Sequence, residues 1–318
     1  MSAIRAHAYP RAGVLGNPSD GYGGRVLSLT FSDFQADIEL RDEGLRIEEV
    51  LERFESGGSL GIEQLTDAAL SRFNKSYPLP SSTQIDLRAR TNIPRQVGMS
   101  GSSALIIASL KALAERANIS VPPRELALLA WEAETLELGI AAGPQDRVAQ
   151  AHGGLLDMDF SAPWSAESFR HYDPAMLPPL LIAWNPAPGD PSGDVHDTVR
   201  ERYENGEAAV VEAMSQFPRF TADGISALER GDLASFLGCM NANFDTRAMI
   251  WDLQDKDLEL ISIGREAGCA TKFTGSGGAI LCAAPDLPTL ERAEEAYASR
   301  ALPTLRPTPA PSVTEITT

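Results

Sequence analysis

The chain has 318 residues, and its 44 acidic and 27 basic side chains give a formal net charge of −17 at pH 7. This charge argues against a protein that binds nucleic acid or an anionic membrane, because both require a basic face. The length, with 43% hydrophobic and 22% charged residues, is typical of a folded protein with one large or two average domains.

The first half of the chain combines strand and helix patterns. Alternating apolar residues predict strands within the first forty residues, around the turn-rich NPSDGYGG, and again at 84–90. Apolar residues at helical spacing predict helices at 47–54, 62–74, 102–117, 124–138 and 145–152. The sequence LLDMDF at 155–160 predicts a strand that closes this half.

A proline-rich stretch at 161–179 predicts the boundary between two domains, which we place at residues 1–165 and 175–300. The second half predicts a strand at 180–184, a polar loop through Gly193, two or three helices within 195–267, two strands around TKFTGSGG and a last helix at 287–299. The tail, residues 301–318, is rich in Pro and Thr and is expected to be disordered or loosely attached. Strands and helices mix without regular alternation, which favours an α+β fold.

Three features predict a cytoplasmic protein with reduced thiols. The longest apolar stretches, 104–110 and 177–184, are far shorter than the ~20 residues that span a bilayer. The N-terminus lacks the apolar region of a secretory signal. The three cysteines have no CxxC spacing, and the four histidines show no spacing of metal ligands, so neither a disulfide framework nor a zinc site is expected.

The strongest chemical signal is PRQVGMSGSSALIIASLKAL at 94–113, a loop rich in Gly and Ser that opens into a helix. We expect Ser102 or Ser103 to cap this helix. Free N–H groups at a helix start bind anions, and small residues allow phosphate oxygens to approach the backbone. A capped helix after a flexible loop, with no ligand, explains the segment equally well. The segment lacks the Lys of a Walker loop, and its spacing does not fit a GxSxG nucleophile elbow.

The second signal is AETLELGIAAGPQDRVAQAHGG at 133–154, which holds two carboxylates 12 residues apart, Glu134 and Asp146. A break of glycines and a proline lies between them, so two successive helices can deliver both carboxylates to one pocket. Magnesium prefers carboxylate and phosphate oxygens, and a hydroxyl nucleophile needs a carboxylate to accept its proton. The alternative is that the acidic residues of this segment, above all Glu132 and Glu137, form the solvated face of a helix.

Two further loops are rich in glycine. The first, TKFTGSGGA at 271–279, carries one of only four lysines and is either part of a shared phosphate cradle or a tight hairpin. The second spans 11–24, from Arg11 through NPSDGYGG, and places Asp20 where a carboxylate could bind sugar hydroxyls. A simple turn explains that loop as well.

Taken in order, these motifs resemble those of the GHMP kinase superfamily, which includes galactokinases, homoserine kinases, mevalonate kinases and phosphomevalonate kinases. The segments that carry the resemblance are LGNPSD, TNIPRQ, GSSA, LGI, AAG, QDRVAQ, HGGL, NFDTR at 243–247 and KFTGSGGA. Within the superfamily they are similar to the signatures of the glucuronokinase subfamily. The resemblance implies a two-domain α+β enzyme with a ribosomal S5 domain 2-like N-terminal half and a ferredoxin-like C-terminal half. It also implies ATP and Mg²⁺ as cofactors, bound with the sugar in a cleft between the halves.

The resemblance assigns a role to each motif. It implies Asp146 as the catalytic base with Arg11 near the reacting groups, and Ser103 and Glu134 as ligands of magnesium. The nucleotide would be bound by residues of the first loop: Pro94, Gly98, Ser100, Gly101, Ser102, Ser103 and Ala104. The substrate would be bound by residues of three other segments: Asp20, Arg147, Arg95, Gly275, Ser276 and Gly277. The loop GMSGSSA is one residue longer than the commoner GLGSSA, which leaves the choice between Ser102 and Ser103 open.

The implied reaction is phosphoryl transfer from MgATP to the anomeric hydroxyl of a sugar acid, which yields glucuronate 1-phosphate. A sugar carboxylate is best bound by an arginine, whose guanidinium can donate two parallel hydrogen bonds, a planar fork of N–H groups. Four arginines are candidates, with Arg147 and Arg95 ahead of Arg247 and Arg200. The alternatives are a kinase for a neutral hexose on the same fold and a sugar sensor without catalysis. We expect a sugar acid and ATP as partners, and neither nucleic acid nor a membrane.

Overall fold

Three antiparallel sheets and the helices packed on them form the part of the chain that the computed structural model describes, residues 3–186 and 199–313. The strands are β1 Ile4–Ala8, β2 Arg11–Leu15, β3 Arg25–Thr30, β4 Ala36–Arg46, β5 Gln84–Thr91, β6 Leu155–Asp159, β7 Phe169–Tyr172, β8 Leu180–Trp184, β9 Ala270–Phe273, β10 Ala279–Ala283 and β11 Thr304–Leu305. The helices are α1 Ile47–Glu55, α2 Ile62–Ser76, α3 Gly101–Ala117, α4 Pro123–Glu132, α5 Gln145–His152, α6 Ala208–Glu229, α7 Leu233–Ala248, α8 Asp255–Glu266 and α9 Leu287–Ala298.

The sheets have the strand orders β1-β4-β5, β2-β3-β6-β7 and β11-β8-β10-β9. The alternating sequence of β4 buries every second residue from Ala36 to Leu40, as expected for a strand with one face toward a core. The mixture of helices with antiparallel strands confirms the predicted α+β class. The predicted hairpin around TKFTGSGG is also confirmed, because β9 and β10 pair directly.

Helix α3 lies at the centre of the N-terminal half. Every residue from Ser103 to Leu110 is buried, so the helix is covered on all sides and not along a single stripe. It packs against β1 and β4 on one side and against α2, α4 and α5 on others. This burial fixes the position of its N-terminus, which opens toward the loop at 94–100.

The predicted domain boundary contains a strand. Strand β7 lies within 161–179 and pairs with β6, whereas β8 belongs to the sheet of the second half. We propose that the two domains divide between β7 and β8. The predicted helices within 195–267 are confirmed as α6, α7 and α8, together with helical residues 199–204. The polar loop through Gly193 falls largely in 187–198, outside the described residues.

The prediction of a loosely attached tail is wrong for residues 302–313. Strand β11 pairs with β8, the Ala310 N–H donates to Thr30 O at 2.8 Å, and the Val313 N–H donates to His152 O at 2.6 Å. Local composition missed this order because the contacts are with distant strands and helices. Among the described residues, no helix has both the length and the apolar character needed to cross a membrane.

Candidate active site

The carboxylate of Asp146, in the first turn of α5, is held by two side chains from distant parts of the chain. Arg11 Nε and Nη2 each lie 2.7 Å from Asp146 Oδ1, and Ser100 Oγ donates to Oδ2 at 2.6 Å. The Arg11 side chain is only 5% exposed, whereas that of Asp146 is 21% exposed. The carboxylate is therefore fixed on one side and accessible on the other.

Arg11, the first residue of β2, joins Asp146 to both glycine-rich loops. Its Nη1 donates to Gly98 O at 2.8 Å and to Thr274 O at 3.0 Å. All of these donors belong to one planar guanidinium, so the positions of the two loops and of Asp146 are coupled. The structure thus brings Arg11 and Asp146 together, as the family resemblance implies.

The two glycine-rich loops touch through their backbones. Gly98 has φ 70°, and a Cβ there would lie 2.9 Å from Gly277 O and from Ser276 N. A Cβ on Gly275 would collide with Gly98 O. Only glycine permits this contact.

Lys272, whose presence favoured a phosphate cradle, does not reach the contact between the loops. Its Nζ donates to Gly13 O at 2.7 Å and to Phe273 O at 2.8 Å, and burial lowers its pKa well below the usual range.

The predicted cap of α3 is wrong, because the N-cap is Ser100. This residue has a left-handed backbone, and its hydroxyl bonds Asp146 instead of capping the helix. Ser102 and Ser103 become the second and third residues of α3. The Ala104 N–H donates to Ser100 O at 3.0 Å, so the backbone donors left at the helix start are those of residues 101–103. Ser102 is exposed and Ser103 is buried.

Pro94 and Arg95 lie in the loop between β5 and α3. Pro94 is half-buried and Arg95 is exposed. Within the described residues, neither forms a hydrogen bond or ion pair with Arg11, Ser100 or Asp146. The structure therefore does not bring Arg95 into the Asp146 cluster.

Glu134 reaches the site through a change of helix type. The predicted helix at 124–138 is α4 followed by a π-helical turn, Ala133–Glu137, a geometry that often marks functional sites. Glu134 pairs there with the guanidinium of Arg147, whose Nη1 also donates to Gly143 O at 2.8 Å and lies 3.9 Å from Asp146 Oδ2. The break between the helices thus delivers both carboxylates to one guanidinium, as predicted.

Arg147 is committed to these internal contacts. Burial, together with the nearby charge of Arg11, lowers the pKa of Arg147 to about 9, so the guanidinium stays charged at neutral pH. Its side chain is only 6% exposed. The structure therefore places Arg147 between the two carboxylates, where it cannot offer a free fork to a ligand.

The environment of Glu134 and Ser103 fits a magnesium ion in its chemistry. Glu134 Oε1 is buried and has no hydrogen-bond partner among the described residues. The described part of the chain holds no group of three or more His, Cys, Asp or Glu residues suited to a metal. Magnesium needs no such group, because it commonly takes one or two protein oxygens and completes its shell with water and phosphate.

The expectation of a solvated acidic face is wrong for Glu137. Its side chain is 6% exposed, pairs with Lys75 at 2.7 Å and accepts a hydrogen bond from Ser71 Oγ at 3.0 Å. Glu132 pairs with Arg72 at 2.8 Å. Both residues tie α4 and the π-helical turn to α2, and neither competes with Glu134 for a ligand.

Asp20 lies in a short 3-10 turn, Ser19–Tyr22, beside the start of α5. The Gln145 N–H donates to Asp20 Oδ2 at 3.2 Å, and a Cβ on Gly143 would collide with the carboxylate. Burial, reinforced by the charge of Asp146, raises the pKa of Asp20 to about 6. The two carboxylates are therefore electrostatically coupled.

A buried polar network behind Asp20 was not assigned from the sequence. Asn17 Nδ2 donates to Gln145 Oε1 at 3.0 Å. Asn243 accepts from the Gly16 N–H at 2.7 Å and donates to Asn17 O at 3.0 Å.

Arg247 connects this network to the β9–β10 loop. It donates to Asn17 Oδ1 at 3.1 Å and to the carbonyls of Gly275 and Ser276 at 2.7 and 2.9 Å. The signal was present in GNPSD and NFDTR, two polar motifs whose buried partners become visible only in the fold.

Comparison with known proteins identifies the family. Residues 64–154 match the family described as GHMP kinases N terminal domain. The chain is 34% identical to Glucuronokinase 1 of Arabidopsis thaliana, over 96% of this chain and 92% of that protein. The chain belongs to the GHMP kinase family. It is also 35% identical to Probable glucuronokinase 2 of the same plant, over 89% of this chain and 84% of that protein.

Solved structures of this family share the whole fold. Mevalonate kinase of Methanococcus jannaschii superposes with a TM-score of 0.78 at 16% identity, covering 98% of this chain and 99% of that one. Galactokinase of Lactococcus lactis, in complex with galactose, superposes with a TM-score of 0.77 at 14% identity, covering 99% of this chain and 95% of that one. The predicted two-domain GHMP kinase fold is confirmed. As a GHMP kinase, the protein is a phosphotransferase that uses ATP with Mg²⁺.

Proposed function

We propose that this kinase transfers the γ-phosphoryl group of ATP to the anomeric hydroxyl of D-glucuronate, which yields glucuronate 1-phosphate and ADP. The observation that carries the proposal is the similarity to a glucuronokinase over nearly the full length of both chains. The described site has the parts that such a transfer needs: an accessible carboxylate, a helix N-terminus and two touching glycine-rich loops.

Asp146 is the base in this proposal. Its carboxylate accepts the proton of the anomeric hydroxyl while the sugar oxygen bonds to the γ-phosphorus and the bond from that phosphorus to the ADP oxygen breaks. Arg11 and Ser100 hold the carboxylate in one orientation, and its exposed side leaves room for the hydroxyl. A positioned base of this kind contributes roughly 10²–10⁴ in rate.

The start of α3 binds the phosphates. The backbone donors of residues 101–103 and the positive end of the helix dipole favour anions, and the exposed Ser102 adds a hydroxyl. Pro94, Gly98 and Ser100 line the approach to this helix end. Ala104 contributes packing and no backbone donor, because its N–H is used inside the helix.

Ser103 and Glu134 would hold the magnesium ion. When bound, Mg²⁺ supplies positive charge that neutralises the phosphate oxygens in the transition state. Glu134 Oε1, buried without a protein partner among the described residues, is the oxygen that fits this role. Arg147 fixes the other oxygen of the same carboxylate.

The sugar binds between Asp20 and the loop at Gly275, Ser276 and Gly277. Asp20 accepts hydrogen bonds from sugar hydroxyls, and Arg247 holds the loop in place through its carbonyls. We place the enzyme in the cytoplasm, which the three free cysteines at 239, 269 and 282 support. We expect no nucleic acid or membrane partner, because the net charge of −17 opposes both.

ADP release measured over a panel of sugars tests the proposal. We expect kcat/KM for glucuronate to be roughly tenfold or more above the values for glucose, galactose and galacturonate. A higher kcat/KM with a neutral hexose would show that the enzyme is a sugar kinase with a different substrate. Release of no ADP with any sugar in the panel would contradict the proposed kinase activity and favour a sensor.

A further inference from the structure

The sugar end of the site is surrounded by arginines, most of which are already used. Arg11 binds Asp146 and two carbonyls, Arg147 binds Glu134 and one carbonyl, and Arg247 binds Asn17 and two carbonyls. A bidentate pair with a carboxylate needs two neighbouring N–H groups of one guanidinium. None of these three arginines can form such a pair with a ligand without giving up contacts that hold the site together.

Arg200 lies beside Asp20 and, within the described residues, is not committed in this way. Its guanidinium carbon lies 5.5 Å from the centroid of the Tyr22 ring. Its Nη2 is 3.4 Å from the position that a Cβ would take on Gly21, a position that is also 3.7 Å from Gly143 Cα. The guanidinium thus packs over the backbone next to Asp20 and Gly143.

The surroundings of Arg200 favour one orientation while leaving its donors available. Within residues 3–186 and 199–313, the side chain forms no hydrogen bond or ion pair, and it is half-buried. The ring of Tyr22 below it packs edge-on against Tyr203 at 4.6 Å between centroids. An aromatic face supports a guanidinium and leaves the planar fork of N–H groups free to bind a ligand.

We propose that Arg200 binds the carboxylate of the sugar acid and sets the preference for an acid over a neutral sugar. This inference rests on the proposed function. With Asp20 on the sugar hydroxyls, the neighbouring Arg200 guanidinium, whose Nη2 is 3.4 Å from the Cβ position of Gly21, can reach a carboxylate on the same sugar. The bulk charge of the protein repels a sugar acid, so a local cation is needed to recognise it.

Arg95 is the competing candidate, because it is also an arginine without an ion pair among the described residues. It is exposed in the loop between β5 and α3, which leads to the phosphate end of the site. No contact of the described structure connects it with Asp20. The geometry therefore favours Arg200.

The test compares D-glucuronate with D-glucuronamide, in which a neutral amide replaces the carboxylate. ADP release is measured for wild type, Arg200→Gln, Arg95→Gln and Arg219→Gln, the last an exposed arginine on α6 as the matched control. We expect Arg200→Gln to raise KM for glucuronate roughly 10- to 100-fold, to change kcat little and to leave the amide kinetics within about threefold. Arg200→Lys, which keeps the charge and loses the fork, should lower the acid-to-amide ratio of kcat/KM by a smaller factor.

Three results would overturn the assignment of Arg200. These are an unchanged acid-to-amide ratio in Arg200→Gln, an equal loss on both substrates, and a drop in the ratio for Arg95→Gln alone. Failure of the proposed function has a different signature, because wild type itself would then release no ADP with glucuronate. That result would overturn the inference together with the function on which it rests.

Discussion

At the scale of single residues, the site is a set of charges that restrain one another. Arg11 holds Asp146, Arg147 lies between Asp146 and Glu134, and the charge of Asp146 reaches Asp20. Such an arrangement lets one carboxylate act as a base while its neighbours keep other roles, because each has a different set of partners.

Replacing Asp146 by Asn tests the role of the base. Asn keeps the size of the side chain but accepts no proton, so we expect kcat to fall roughly 10²- to 10⁴-fold while the affinity for ATP stays within a few-fold. Stopped-time ADP assays and nucleotide titration provide the two measurements. Asp223→Asn, an exposed site on α6, is the control and should match wild type. Retained turnover in Asp146→Asn would remove Asp146 from this role.

Asp20 should make stability depend on pH. Its pKa is about 6 in the folded protein against 3.8 for an unperturbed Asp, so the folded state binds the proton more tightly than the unfolded state does. The stability that this proton provides is complete only well below the unfolded pKa of 3.8, and it is lost as the pH rises through the folded value of about 6. We expect Asp20→Asn, relative to wild type, to gain about 2 kcal/mol in free energy of unfolding between pH 4 and pH 7.

Urea unfolding of wild type and Asp20→Asn at several pH values measures this difference. Acidic groups that lie far from Asp20 titrate alike in both proteins, so their contributions cancel. Asp223→Asn again provides the comparison and should show a flat difference. A flat difference for Asp20→Asn as well would show that Asp20 does not carry a buried charge at neutral pH.

At the scale of elements, the site depends on where loops and helix ends meet. The loop before α3 and the β9–β10 loop meet because Gly98 and Gly275 allow their backbones to touch. Asp146, at the start of α5, joins them through Arg11 and Ser100. The π-helical turn after α4 brings Glu134 to the same place. Each element ends at the site, so its packed interior holds the site rigid and the residues at its end contact the ligands.

The contact between the two glycine loops can be tested with Gly98→Ala. The added Cβ would lie 2.9 Å from Gly277 O and Ser276 N, on a backbone with φ 70°. We expect a loss of about 1–3 kcal/mol in free energy of unfolding and a raised KM for ATP, because the loops must separate. Chemical denaturation and ADP assays measure the two effects.

Gly231→Ala is the matched control for this substitution. Gly231 has φ 69° and no atom within 4 Å of its Cβ position, so it carries the backbone strain without the collision. We expect about 1–2 kcal/mol of destabilisation there and an unchanged KM for ATP. Equal effects of the two substitutions on KM would show that the loop contact does not shape the nucleotide site.

At the scale of the whole molecule, distant parts of the chain close the structure. The tail adds β11 to β8 and then continues past Thr30 to His152, so it joins the sheets of both halves. Asn243 and Arg247 of α7 bind the loop after β2 in the same way. These connections hold the two halves around the site.

Deleting residues 306–318 tests the role of the tail. The deletion keeps β11 but removes the bonds of Ala310 and Val313 to Thr30 and His152, together with those of Thr308 to Ser32 and Asp33. At about 1 kcal/mol for each hydrogen bond, we expect a loss of a few kcal/mol in free energy of unfolding and a lower Tm. Deleting only 314–318 keeps those bonds, so this protein should stay more stable than the one that lacks 306–318. Equal stability of the two truncated proteins would contradict the role given to the tail.

The sequence predicted what local pattern and motif order determine. The hairpin of β9 and β10, helix α5 and the convergence of Glu134 with Asp146 all follow from spacing and turn residues. The N-cap at Ser100 and the pairing of Arg147 with Glu134 were not predicted, because each depends on a partner far along the chain. The order of the tail was missed for the same reason, since its bonds are to β8, Thr30 and His152.

The central claim is that the enzyme forms a phosphate ester at the anomeric oxygen of glucuronate. Phosphorus NMR of the product made from ATP and glucuronate measures this directly. We predict ADP together with one new sugar phosphate signal, coupled to the anomeric proton and lost on hydrolysis in mild acid. A phosphate coupled to any other ring proton, or ATP left unconsumed with glucuronate, would contradict the claim.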